Sequence, residues 1–189
     1  MTDLDLQDIR ACLAGDQDAY ARLVFRYEKQ VASLMWRFTR DKQLLEELTQ
    51  DVFVEAYFGL AGYTGKGAFM NWLWRIATRV GYRFWKNQAK NSQTASLPSP
   101  EFLADKHSEN KQISADQAGE ILTYLLSKLK PKDRLVLTLH YFQQLPFKEI
   151  AERTGWATAA VKMRAHRAKK KLKKIANEEN LSEKLEWTI

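Results

Sequence analysis

The stretch "FKEIAERTGWATAAVKMRAHRAKKKLKK", residues 147–174, carries ten Lys or Arg against two Glu, yet it opens on an apolar pattern that must pack. Ala151, Gly155 and Val161 stand at the spacing of a helix-turn-helix. A small residue lies where two helices touch, a glycine suits positive φ in the turn "TGWAT", and a branched residue enters the second helix. Thr158 is positioned to cap that second helix, and Val161, Ala165, Ala168 and Leu172 form its apolar stripe. The opposite face carries Ala159, Lys162, Met163, His166 and Arg167, with Arg164 at the stripe's edge. A helix divided in this way can lie in a major groove, its N-terminal half near base edges and its lysine-rich end along phosphates. A merely solvated basic helix would not need the turn spacing.

The rest of the composition sets the frame for that motif. A chain of 189 residues with 45% apolar content can fill one large core or two small ones. The net charge of +7 is unevenly spread: residues 1–57 sum to −4, 58–100 to +6 and 129–176 to +10. Two separate basic blocks predict two nucleic-acid contacts, because counterion release on phosphate neutralisation drives such binding. No run of 18 apolar residues occurs, and the start "MTDLDLQDIR" is acidic where a signal peptide is basic and then apolar. A cytoplasmic protein is expected. Cys12 is the single cysteine, read as a buried or incidental thiol, and His107, His140 and His166 are too scattered for a zinc site.

Periodicity predicts an all-α chain of two small helical domains joined by a flexible linker. Tyr20, Leu23, Val24, Tyr27, Val31, Leu34 and Phe38 recur at helical spacing behind an Asp16 cap, and Leu45, Leu48, Val52 and Ala56 repeat the pattern. These belong to a first helical bundle, residues 1–90. The stretch 91–112 holds two of the four prolines and little apolar periodicity, which makes 91–114 the linker. A second domain, 115–177, contains two amphipathic helices separated by Pro131 and a third opened by Pro146. Residues 178–189 form an acidic tail.

The second basic block differs in kind from the opening stretch. Between 58 and 90 lie Phe58, Tyr63, Phe69, Trp72, Trp74, Tyr82, Phe84 and Trp85 with six basic residues and no acid. Four of the eight glycines fall in "GLAGYTGKG", which predicts a mobile loop followed by a helix from about Ala68 to Gln88. On that helix Arg75, Arg79 and Arg83 make one stripe and Leu73, Ala77, Val80 and Phe84 another. Basic residues interleaved with aromatics suit single strands, whose backbone they grip while unstacked bases rest on rings or in pockets. Core packing is the competing use for each ring.

Taken in order, "GDQDAYARLVFRY", "LLEELTQDVFVEAY", "FMNWLWRIATRVGYRFWK", "LSKLKPKDRLVLTLHYFQQLPFKEIAERTG" and "VKMRAHRAKKKL" resemble bacterial RNA polymerase sigma factors of the extracytoplasmic-function type. These keep only the second and fourth conserved sigma domains. The resemblance covers about residues 10–90 and 115–175. It implies that "EELTQDVFVEA" docks on the clamp helices of the polymerase β′ subunit, with the β subunit as a further contact. Glu47, Gln50, Asp51 and Val54 form the exposed i, i+3, i+4, i+7 face of that segment, opposite Leu48 and Val52.

The glycine loop and its helix resemble the element that melts and reads the minus-ten promoter sequence, where a non-template base is flipped into a pocket. Tyr63, Lys66, Phe69, Trp72, Arg75, Arg79 and Arg83 are the candidates. Members often carry Asn and then Asp where this chain has Arg79 and Arg83, so the usual base preference does not carry over, and the added charge favours phosphate contact. The second domain resembles the reader of the minus-thirty-five element. There Lys162, Met163 and His166 are expected at base edges beside Thr158 and Ala159, and Arg164, Arg167 and Lys170 on phosphate. The family also implies control by an anti-sigma factor, often membrane-anchored.

No catalytic or metal site emerges. The chain has no phosphate loop, nucleophile elbow or HExxH motif, and its acidic residues lie on helix faces without metal-ligand grouping. No cofactor and no small-molecule substrate is expected. The reading from another class is an ordinary helix-turn-helix regulator acting without polymerase, and a third is an RNA-binding or nucleoid protein. The first leaves the aromatic and basic block unexplained, and the second leaves the acidic helix face unexplained.

Overall fold

The computed structural model describes residues 3–91, 115–179 and 181. Among them the fold is all-α: α1 (Asp3–Leu13), α2 (Gln17–Met35), α3 (Lys42–Gly59), a 3-10 turn (Leu60–Gly62), α4 (Phe69–Asn91), α5 (Ala115–Ser127), α6 (Pro131–Leu137), a π turn (Thr138–Phe142), α7 (Phe147–Thr154) and α8 (Thr158–Glu178). The chain divides into two compact units, Met1–Trp85 and Lys86–Ile189. That division falls inside α4, ahead of the boundary expected at 90, because residues 86–91 are all exposed and extend past the first unit's core. Beyond Asn91 the expected linker lies outside the described residues, as does most of the acidic tail. Leu181, placed in that tail by sequence, is buried, and its N–H donates to the Ala176 carbonyl at 2.7 Å.

In the first unit, helix starts follow the local chemistry. The Asp16 carboxylate accepts from the N–H groups of Asp18 and Ala19, and Asp41 accepts from Leu44 N–H at 2.9 Å, so α2 and α3 each begin on a side-chain cap. Leu23, Val31 and Met35 of α2, Val52 and Ala56 of α3, and Leu73, Ala77 and Val80 of α4 are all buried. Burying a large apolar side chain contributes about 1.5–3 kcal/mol, and this stripe holds three helices together. Gly81 is required by a close approach. A Cβ there would lie 2.4 Å from the Phe38 ring, which meets the Trp85 ring at a tilted angle with centroids 4.5 Å apart, and the Trp85 indole N–H donates to the Phe38 carbonyl.

Helix α1 is tied on by charge as much as by Ile9. Arg26 donates to Asp5 at 2.6 Å and to Asp8 at 2.7 Å, Arg22 donates to Asp8 at 2.8 Å, and the Tyr27 hydroxyl donates to Asp5 at 2.8 Å. Burial pushes the Asp8 carboxyl up, but the guanidinium groups of Arg26 and Arg22 more than offset this and hold it below its ordinary value.

The second unit is built around α8. Pro131 occupies the first turn of α6, and Pro146 is the N-cap of α7. Gly155 sits at φ 72°, and its N–H donates to Ala151 at 2.9 Å, so the turn ends α7 with the left-handed residue its position predicts. Val161, Ala165, Ala168 and Leu172 are all buried, as the stripe requires. The Thr158 cap is corrected: Ala157 is the N-cap, without a side-chain hydrogen bond, and Thr158 is already the first residue of α8.

Candidate nucleic-acid interfaces

On α8 the exposed face is the one the spacing predicts. Ala159, Lys162, Met163, His166, Arg167 and Lys170 are exposed, and Met163 is the most open large apolar residue of this helix, at 73%. An apolar side chain held in water beside lysine and histidine suits contact with a thymine methyl group or an aliphatic base edge. The two arginines are less free than the sequence suggests. Arg164 donates to Asp133 at 3.2 Å, and Arg167 grips the same carboxylate through Nε at 3.1 Å and Nη2 at 2.7 Å. Arg164 also lies 5.3 Å from the centre of the Trp156 ring, which puts the turn, α6 and α8 in one network. Its side chain keeps 27% exposure against 61% for Arg167, so Arg167 is the one with an open edge toward a phosphate.

The glycine loop makes contacts through Tyr63. Its hydroxyl donates to the Gly67 carbonyl at 2.8 Å, and its ring lies 5.4 Å from both Phe69 and Trp72. Phe69 meets Tyr27 at 5.5 Å, and Tyr27 is held by Asp5. Phe69, expected at the nucleic-acid surface, is instead 1% exposed: it carries Tyr63 and Trp72, both half-buried, as a platform. Lys66 is exposed between Gly65 and Gly67, which both have positive φ.

On α4, Arg75, Arg79 and Arg83 share the exposed stripe, while Leu73, Ala77 and Val80 are buried and Phe84 half-buried. Arg79 and Arg83 both pair with Glu55 of α3, a residue sequence periodicity does not single out. The only signal was the complete absence of acids from 58 to 100, which leaves those arginines to find carboxylates on another helix.

The α3 face is exposed at Glu47, Gln50, Asp51 and Val54, and Leu48 and Val52 are buried behind it. Beside it runs a groove of about 550 Å³ between α2 and α3, lined by Tyr20, Val24, Phe53, Val54, Tyr57 and Phe58. Phe58 and Phe25 are 79% and 85% exposed. Sequence grouped Phe58 with the single-strand aromatics, but it lies on α3 at an edge-on contact with Tyr57. Phe25 went unnoticed, although an aromatic off the apolar stripe of α2 was the available signal.

Burial and the Asp16 carboxylate push the half-buried Cys12 thiol up. Among the described residues no three His, Cys, Asp or Glu come together to hold a metal ion, and no helix is long and apolar enough to cross a membrane.

Residues 23–91 match the family model for sigma-70 region 2, and residues 119–172 match that for sigma-70 region 4. The chain is 30% identical to the RNA polymerase sigma factor YlaC of Bacillus subtilis, over 84% of this chain and 92% of the relative. It is 28% identical to the ECF RNA polymerase sigma factor SigW of the same organism, over 88% and 93%. A solved structure of the sigma factor RpoE in complex with the anti-sigma factor NepR, from Bartonella quintana, shares the fold at TM-score 0.57 and 16% identity, over 84% of this chain and 96% of that one. With a helix-turn-helix in one unit and a glycine loop and basic helix in the other, the chain belongs to the sigma-70 family of RNA polymerase sigma factors, as a member of its extracytoplasmic-function type.

Proposed function

We propose that this chain binds core RNA polymerase through α3, reads a minus-thirty-five element as duplex through α8, and melts and reads a minus-ten element with the loop 60–67 and α4. The observation that carries this reading is the exposed face of Gln50, Asp51 and Val54 beside the open rings of Tyr57 and Phe58. A regulator working by duplex binding alone has no use for a carboxylate and apolar surface of that kind on its other unit. Lys162, Met163 and His166 take base edges, with Arg167 and Lys170 on phosphate. Arg164 serves chiefly to hold α8 to α6. Tyr63 and Trp72 offer ring surface to an unstacked base, and Lys66 and Arg75 offer charge to the strand. The RpoE structure, solved with an anti-sigma factor, supports control of this chain by an anti-sigma factor, which would cover the same apolar groove.

Run-off transcription tests the reading. Core RNA polymerase would be given a pool of genomic promoter fragments, with and without this protein. Transcripts that appear only on addition, and that are lost with Asp51→Arg, are the expected result. Duplex binding by the protein alone with no responsive promoter would overturn it in favour of a polymerase-independent regulator.

A further inference from the structure

Glu55 does more than neutralise its neighbours, because of which nitrogen atoms it takes. Arg79 gives Glu55 Oε2 its Nε at 3.4 Å and its Nη2 at 3.1 Å, while Arg83 Nη1 meets Oε1. An arginine bound along its Nε and Nη2 flank still has the far edge, Nη1 and the second Nη2 hydrogen, free to donate. The Arg79 side chain is 65% exposed, so that edge is accessible. The carboxylate itself is a quarter exposed, and a negative charge at that spot repels phosphate. Two arginines on one carboxylate leave a single net positive charge. Lys66 and Arg75, both exposed, are the better phosphate ligands.

Among the base edges of the major groove, an oriented fork with two donors and no acceptor fits one best. Guanine presents O6 and N7 as adjacent acceptors, whereas adenine pairs an acceptor with a donor and thymine offers one acceptor beside a methyl group. That edge is available in a guanine whether paired or unstacked. We propose that Glu55 holds Arg79 as a guanine reader, so that the minus-ten element of this sigma factor contains a guanine read by Arg79. Arg83 locks the far oxygen of Glu55. The inference rests on the minus-ten role assigned to α4 above, and replaces the phosphate contact that charge alone suggests for Arg79. Glu55 is a positioning residue here, and Arg79 is the contact.

The test uses promoters randomised across the minus-ten element, transcribed by core polymerase with the full chain, and the transcripts sequenced. Wild-type protein is expected to enrich guanine at one position. Arg79→Lys keeps the charge but not the fork, and should cut that preference about tenfold. Glu55→Ala should also lower the preference while leaving binding to non-promoter DNA equal or stronger, since it removes a negative charge; a role in folding alone would not strengthen it. Guanine enrichment that survives Arg79→Lys, or equal weakening of every sequence by both variants, would overturn the proposal. Loss of all chain-dependent transcripts from the wild-type protein would overturn the sigma-factor reading and this inference together.

Discussion

Arg164 and Arg167 of α8 close on Asp133, and Arg79 and Arg83 of α4 close on Glu55, yet the Asp133 side chain is 6% exposed and that of Glu55 is 25% exposed. The same pairing of two arginines with one carboxylate therefore does different work in the two units. A buried carboxylate must be fully satisfied, so the first network fixes α8 to α6. A carboxylate that still meets water contributes less to stability, so the second bears mainly on where the guanidinium groups point. Under the proposed function the comparison also separates two ways of meeting DNA: α8 would present a face whose small, apolar and basic residues all lie in water, whereas α4 would present exposed arginines beside a packed aromatic platform.

The largest effect should come from Asp133→Asn. Leaving two arginines facing a buried amide is expected to lower the Tm of the second unit by more than about 10 °C and to abolish duplex binding with it. Unchanged melting with lost binding would make Asp133 a positioning residue like Glu55 and erase the distinction. Next, Gly81→Ala should destabilise the first unit by about 2 kcal/mol, or about 10 °C in Tm, because the buried Phe38 ring is packed against buried Trp85 and has little room to yield. Helix propensity alone predicts the opposite sign, since Ala is favoured over Gly by about 1 kcal/mol, so calorimetry of this variant decides which effect wins.

Smaller effects sharpen the comparison at the level of readout. Lys162→Ala, measured against a matrix of minus-thirty-five mutants, should lose about 1–3 kcal/mol of discrimination at one base pair, whereas Lys170→Ala should weaken all sequences alike. Uniform weakening by both would move Lys162 to the phosphate group. The smallest concerns acid. Because the folded Asp8 carboxyl is held below its ordinary value, its contribution is fully present above the unfolded pKa of about 4 and is lost as pH falls through the lower folded value. Stability of the first unit should thus drop below about pH 4, and less so in Asp8→Asn, as followed by helical circular dichroism.

Much of this was legible in the chain because it is local. The helix-turn-helix is written in one short continuous segment, so Gly155, Ala151 and the stripe from Val161 to Leu172 could be placed by spacing. The same holds for the α3 face, where Asp51 and Val54 alternate with buried Val52. What escaped reading is contact between helices. Asp133 to Arg167 spans 34 residues and Glu55 to Arg79 spans 24, and no periodicity encodes such pairs. Phe69 was misplaced for a related reason: an aromatic among basic residues has the composition of a binding surface, but Tyr27 from α2 buries it. Thr158 fell one position too late because Ala157 adopts the extended backbone that the cap requires.

The division of labour between the two basic surfaces is tested most directly by permanganate footprinting of promoter opening alongside duplex minus-thirty-five binding, for Arg79→Ala and Lys162→Ala in the full chain with core polymerase. Arg79→Ala should reduce opening about tenfold and leave duplex binding intact, and Lys162→Ala should weaken the duplex complex while complexes that do form still open. Equal loss of both activities in each variant would contradict the account.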